Sequence, residues 1–282
     1  MKQEKKYVIN LHLLENCNYC CKHCFARFNS GRPLTVRDWK RIIDNITAET
    51  PVSRFNLAGG EPLLYQGLDE IIDYINSNSI LVSLITNGHL LSEERIRSLK
   101  GKIYMIGLSI DAIRPDMLLK IGRCTNKGEI LTPVRSMSLC NTIKENNMQL
   151  KINTVVSKLN FQENFTDFIE TVCPDRWKIL KMKRFSNGMF DNSEIEISEN
   201  EFNQFCSMYS SIPHIKEINL KNSYVFIDSG GRLVDNSGEY DKPISNLLLE
   251  DFSSAFRSLT FDESLYESRY NSTGNNAGEK CP

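Results

Sequence analysis

Six β-rich runs, YVINLHL (7–13), RFNLAG (54–59), ILVSLIT (80–86), KIYMIGLSI (102–110), LKINTVV (150–156) and RWKILKM (176–182), constrain this chain more than any other feature. Helix-patterned segments separate them: TVRDWKRIIDNITAE with Thr35 as its N-cap, then stretches near 67–77, 91–99, 115–121 with 128–145, and 161–171. Strands that alternate with helices predict a parallel sheet with right-handed crossovers. The fold class expected is therefore α/β, a partial (β/α)6 barrel. Such barrels place their chemistry at the C-terminal ends of the strands. A cysteine loop follows the first strand, AGGEP the second, TNG the third and SID the fourth, so these motifs are expected on one rim.

After residue 185 the alternation stops. SENEFNQFCSMYS reads as a helix capped by Ser198, NSYVFID (222–228) as a strand, and SNLLLEDFSSAFRSL as another helix. The expected organisation is a barrel over 1–185 and an α+β C-terminal extension over 186–282, forming one structural unit. The tail from Tyr270 is polar and reads as mobile. At 282 residues the chain can bury about 75 % of its unfolded surface, so its core needs no metal. Its 34 basic and 35 acidic residues leave a net charge of -1, which excludes a general polyanion-binding surface and makes nucleic acid an unexpected partner. No N-terminal apolar run is long enough for a signal peptide or a membrane span, so the expectation is a cytoplasmic protein without a membrane partner.

The loop ENCNYCCKHCFARF (15–28) holds Cys17, Cys20, Cys21 and Cys24. Two ligand sets compete. Two adjacent C-x2-C pairs would make a four-thiolate zinc site, but zinc sites of that kind place a dozen or more residues between the pairs. Cys17-x3-Cys21-x2-Cys24, with Cys20 set aside, leaves three thiolates for a [4Fe–4S] cluster and one iron open. In this spacing the chain resembles the radical S-adenosylmethionine (SAM) enzymes. The resemblance implies SAM bound at the open iron and cleaved to a 5′-deoxyadenosyl radical. His23 departs from it, since an aromatic residue usually precedes the third cysteine. Gly59, Gly60 and Glu61 match the superfamily's GGEP motif, with Glu61 as acceptor for the methionine ammonium group. Asn87, Ser109 and Arg123 complete the expected SAM contacts, Ser109 toward ribose and Arg123 toward carboxylate.

Lys151 and Asn153 lie two apart on one strand face, as do Arg176 and Lys178 on the next. Three cations converging inside a barrel with little net charge suit a polyphosphate. The ordered set CNYxCxxCF, NxxGGEP, SxD, IGR, KIN, RWK, ISxxEF, SYxxxD and FDE is similar to that of the viperin-like enzymes, from about Tyr7 to Tyr270. That resemblance implies a lyase-type dehydration of CTP, UTP or GTP. The 4′ hydrogen is abstracted and the 3′ hydroxyl lost, giving a 3′-deoxy-3′,4′-didehydro nucleotide that terminates viral RNA chains. It further implies that Arg176 and Lys178 clamp the triphosphate and that Lys151 aids hydroxyl departure. Tyr224 would donate a proton, with Asn10, Arg54, Asn56 and Asn153 also near the substrate. A reducing partner such as flavodoxin or ferredoxin is implied as well. Two rivals stand beside this reading: a peptide-modifying radical SAM enzyme, and a non-catalytic zinc-binding interaction protein. With Cys281 the only cysteine after Cys206, no cysteine-rich region is present for auxiliary clusters.

Overall fold

The computed structural model describes residues 6–26, 31–186, 190–238 and 240–271. Arg27, Phe28, Cys281 and the tail beyond residue 271 lie outside the described residues. Six strands, β1 (Tyr7–His12), β2 (Val52–Ala58), β3 (Leu81–Thr86), β4 (Met105–Ser109), β5 (Gln149–Val156) and β6 (Arg176–Lys181), run parallel in sequence order. Between them come α1 (Val36–Glu49), α2 (Leu68–Ser77), α3 (Glu93–Ser98), α4 (Pro115–Lys120), α5 (Pro133–Glu145) and α6 (Thr166–Val172). The expected partial barrel is thus present.

Local chemistry explains these elements. Thr35 and Asp38 form a reciprocal capping box at α1, which buries Trp39, Ile42, Ile43 and Ile46 against the sheet. In β5 the side chains alternate. Leu150, Ile152, Thr154 and Val156 are buried beneath the helices, while Lys151, Asn153 and Val155 face the opposite side and line a cleft. The sheet's hydrophobic face and its chemical face are therefore two phases of one period.

The extension adds α7 (Glu199–Ser207), capped by Ser198 as expected, and β7 (Ile215–Glu217), β8 (Val225–Ile227), β9 (Arg232–Asp235) and β10 (Lys242–Asn246). These strands join the same sheet, whose order is β10-β9-β8-β1-β2-β3-β4-β5-β6-β7. β8 pairs parallel with β1, and β7 parallel with β6. The helix expected over SNLLLEDFSSAFRSL is corrected. Its start belongs to β10, and only α8 (Phe252–Arg257) is helical, capped by Asp251. Asn45 accounts for the break, because its amide donates to the carbonyls of Leu247 and Glu250 and holds that segment in a turn. The helix expected from residue 128 begins at Pro133, since Cys124 and Ile130 pair in an antiparallel bridge first. The tail expected to be mobile lies outside the described residues beyond residue 271; its first residue, Tyr270, belongs to a last helix, α9 (Glu263–Asn271), that the sequence reading missed.

Candidate active site

The cysteine loop leaves β1 and packs against the exit of β2. Gly60 N–H donates to Leu14 O at 2.6 Å and Glu61 N–H to Asn16 O at 2.9 Å. A Cβ on Gly60 would lie 2.2 Å from Asn16 O, and one on Gly59, whose φ is +142°, 2.5 Å from Leu14 O. Both glycines line the cleft, and both are required by the cysteine loop's own backbone.

Glu61 departs from expectation. It is fully buried, and its carboxylate accepts from Leu63 N (3.2 Å), Thr86 Oγ1 (2.7 Å) and Asn87 N (2.8 Å). Burial pushes its pKa up while those donors oppose the rise. Glu61 does not line the cleft; it braces the turn after β3 instead of offering an open acceptor. Asn87, on that turn, donates to Asn18 Oδ1 at 2.8 Å and lies 3.7 Å from Cys17 Sγ, so the brace reaches the cysteine loop.

Cys17, Cys21 and Cys24 line the cleft; Cys20 does not, its thiol turned toward the carbonyl of Cys124 at 3.8 Å. A four-thiolate zinc site needs Cys20 on the same side as the others, so the structure disfavours it. Burial pushes the Cys21 thiol up to about 12, Arg123 opposes this, and Cys24 and Cys17 add to it by mutual repulsion. Among the described residues, no three His, Cys, Asp or Glu gather tightly enough for a single ion. Three thiols lining one cleft, with Cys20 turned away, are the donor set of a multi-iron cluster held by three sulfurs.

Behind the cysteines, Arg123 Nε lies 2.5 Å from Asp111 Oδ2, its Nη2 donates to Ser109 O at 2.7 Å, and its Nη1 sits 3.6 Å from Cys21 Sγ. His23 Nε2 is 3.1 Å from the same Asp111 oxygen. Burial works to raise Asp111, but Arg123 and His23 outweigh it and hold the carboxyl down to about 2. Arg123 was expected to face a ligand carboxylate. It lines the cleft already paired to a carboxylate of its own, and Ser109 contributes its main-chain oxygen to that pairing. His23, the residue that departed from the superfamily pattern, closes this buried triad. Gly122, with φ +76°, lies against Cys20, where a Cβ would sit 2.5 Å from Cys20 O.

At the other end of the cleft, strand register brings the expected cations together. Lys151 pairs with Arg176 and Asn153 with Lys178 across β5 and β6. Arg54 joins them from β2, its guanidinium 5.6 Å from the Tyr104 ring centroid. Among the described residues, Arg54, Lys151 and Arg176 have no carboxylate partner. Burial drives the Lys151 amine well below its ordinary pKa, and Lys178 and Arg176 push it further. Asn56 Nδ2 donates to Asn10 Oδ1 at 2.9 Å, and Asn10 Nδ2 to Val225 O at 3.0 Å, so both amides are oriented at the cleft wall. Three groups escaped sequence reasoning: Glu217 on β7, Arg269 on α9, and the Lys183–Asp241 ion pair. A three-residue strand and a helix of low amphipathicity carry no period to read. The cleft encloses about 290 Å³ and runs continuously from the three thiols to these cations.

Comparison with known proteins agrees with this layout. The model of the Radical SAM superfamily matches residues 11–172. An S-adenosylmethionine-dependent nucleotide dehydratase from Selenomonas ruminantium is 36% identical over 270 residues, covering 94% of this chain and 98% of that protein. One of the same name from Flammeovirga pacifica is 34% identical, covering 82% and 83%. Among solved structures, SuiB of Streptococcus suis bound to its precursor peptide SuiA superposes with a TM-score of 0.70 at 16% identity. The match covers 94% of this chain and 66% of SuiB. The enzyme anSMEcpe with bound AdoMet and the Cp18Cys peptide also gives 0.70, at 13% identity, covering 89% and 80%. At such identities the structural likeness establishes the fold alone.

Proposed function

The chain belongs to the radical SAM superfamily, and within it to the SAM-dependent nucleotide dehydratases; from that premise we propose that it dehydrates a ribonucleoside triphosphate. The product is the 3′-deoxy-3′,4′-didehydro nucleotide. Lacking a 3′ hydroxyl, it cannot be extended by a polymerase, and this accounts for an antiviral role. The observation that carries the reading is one cleft with three thiols at one end and, at the other, half-buried cations that have no carboxylate partner among the described residues.

Cys17, Cys21 and Cys24 would hold the [4Fe–4S] cluster, and Gly59, Gly60, Asn87, Ser109 and Arg123 would surround SAM. When bound, these cofactors supply the 5′-deoxyadenosyl radical that removes the ribose 4′ hydrogen. Everything else falls to side chains. Arg176, Lys178 and Arg54 take the triphosphate, whose negative charge offsets their mutual repulsion. Asn10, Asn56 and Asn153 present amides to the ribose. Burial and its neighbours disfavour the Lys151 ammonium in the empty cleft; the negative charge of a bound triphosphate favours that form, and the ammonium then assists the departing hydroxyl. Tyr224 supplies the proton; burial, reinforced by Glu217, holds its phenol well above the ordinary pKa and so keeps that proton in place. Electrons arrive from a low-potential protein such as flavodoxin or ferredoxin. A peptide substrate would have no need of this cation array, so the peptide complexes of SuiB and anSMEcpe do not redirect the reading.

The test is anaerobic incubation of the reduced enzyme with SAM and CTP, UTP or GTP separately. One nucleotide is expected to lose the mass of water in step with 5′-deoxyadenosine formation. Arg176→Ala should weaken nucleotide binding by about tenfold or more while sparing SAM binding. Slow deoxyadenosine release indifferent to every nucleotide would defeat the assignment.

A further inference from the structure

Tyr224 and Lys178, two residues of the proposed nucleotide end, are not independent. Behind them, on β7 and outside the cleft wall, sits Glu217, 5% exposed. Its carboxylate accepts from Tyr224 Oη at 2.7 and 2.6 Å, contacts Lys178 Nζ, and lies 3.0 Å from Arg269 Nη1. Lys178 Nζ also donates to Tyr224 Oη. Arg269 is fixed from its far side by Asn219 O at 2.6 Å and lies over the Tyr224 ring, 4.6 Å from its centroid. One carboxylate thus ties β6, β7, α9 and the segment before β8.

Burying a carboxylate among so many donors is expensive unless every lone pair is used, and here three different donors use them. Removing the charge would leave Lys178 and Arg269 facing each other with no counter-ion and the phenol without its acceptor. For a cleft that must receive a polyanion, a carboxylate at this point weakens the attraction. Its placement therefore has to be explained by what it orients.

We propose that Glu217 is a positioning residue for the dehydration, fixing the Tyr224 phenol and the Lys178 ammonium in one rigid triad before nucleotide arrives. This rests on the nucleotide reading above. Glu217 touches the nucleotide only through the residues it aligns. It also sets the charge state of Lys178. Burial lowers that amine to about 8, Glu217 opposes the fall, and Arg269 and Arg176 add to it. Lys151 and the Tyr224 phenol are the other titratable groups facing it.

Glu217→Gln, reconstituted with its cluster, separates the roles. Calorimetric titration of the unreduced protein with nucleotide should show affinity retained or strengthened, because a negative charge has left a cationic site. Dehydrated product per SAM cleaved should fall by about tenfold or more, as expected for lost alignment. The alkaline limb of kcat/KM should move toward lower pH, because the carboxylate that supports the Lys178 ammonium has lost its charge. An unaltered product ratio and limb would overturn the proposal. So would joint collapse of nucleotide affinity and Tm in both Glu217→Gln and Glu217→Asp, which would make Glu217 a brace of the fold. If Glu217→Gln alone fails to fold, Glu217→Asp keeps the charge, and its product ratio should lie between parent and zero; a parental ratio there refutes alignment. Absence of nucleotide binding in the parent itself, by contrast, marks failure of the underlying functional reading.

Discussion

At the scale of single residues, chemistry is decided by which way four cysteines turn. Cys20 is exposed and directed at Cys124 O, while its neighbour Cys21 is buried in the cleft beside Arg123. Adjacent residues pointing oppositely are what an extended loop produces. Cys20→Ser should therefore leave reconstituted iron content and the cluster's visible absorbance unchanged, whereas serine at Cys17, Cys21 or Cys24 should remove both. Loss of iron from Cys20→Ser would show that the loop rearranges around its cargo. The choice of Cys17, Cys21 and Cys24 came from their spacing and the family resemblance that it carries. The partners of Glu61 and Arg123 were not legible, because each comes from a different part of the chain, Thr86 and Asn87 25 and 26 positions on for one and Asp111 12 positions back for the other.

At the scale of elements, glycines decide how closely one strand exit can approach the next. Gly60→Ala would press a methyl group into the carbonyls of Asn16 and Glu15, at 2.2 and 2.3 Å. Neither is the end of a flexible side chain, so the cysteine loop itself must shift. We expect a stability loss of about 1–3 kcal/mol, read by chemical denaturation, together with reduced cluster occupancy; wild-type occupancy would show that the loop yields without cost. The strands of the barrel were readable because each is long enough to show a period and is bounded by caps such as Thr35 and Ser198. β7, β8 and β9 were missed or mis-bounded for the opposite reason. Three or four residues cannot display alternation, and Val225–Ile227 is buried on both faces. β10 was hidden by leucines that follow it and mimic a helix until Asn45 is seen to clamp their carbonyls.

At the scale of the molecule, a neutral histidine is buried where the first and eighth strands of the sheet meet the cleft. Burial lowers His12 to about 4 from 6.5, Asp228 opposing. Because the folded pKa lies below the unfolded one, stability is intact above about pH 6.5 and is lost as pH falls toward 4. The loss reaches about 3 kcal/mol. Urea denaturation of the purified chain should show this acid slope, and His12→Gln should flatten it; equal slopes would place the titration elsewhere. No helix of the described residues is long and apolar enough to cross a membrane. The sheet order carries a consequence for how the molecule comes into being. β1 is synthesised more than 200 residues before β8, yet one of its two edges stays bare until β8, at Val225–Ile227, is made. β6 waits in the same way for β7. A nascent chain can thus display its cysteines long before Glu217, Tyr224 and Arg269 exist.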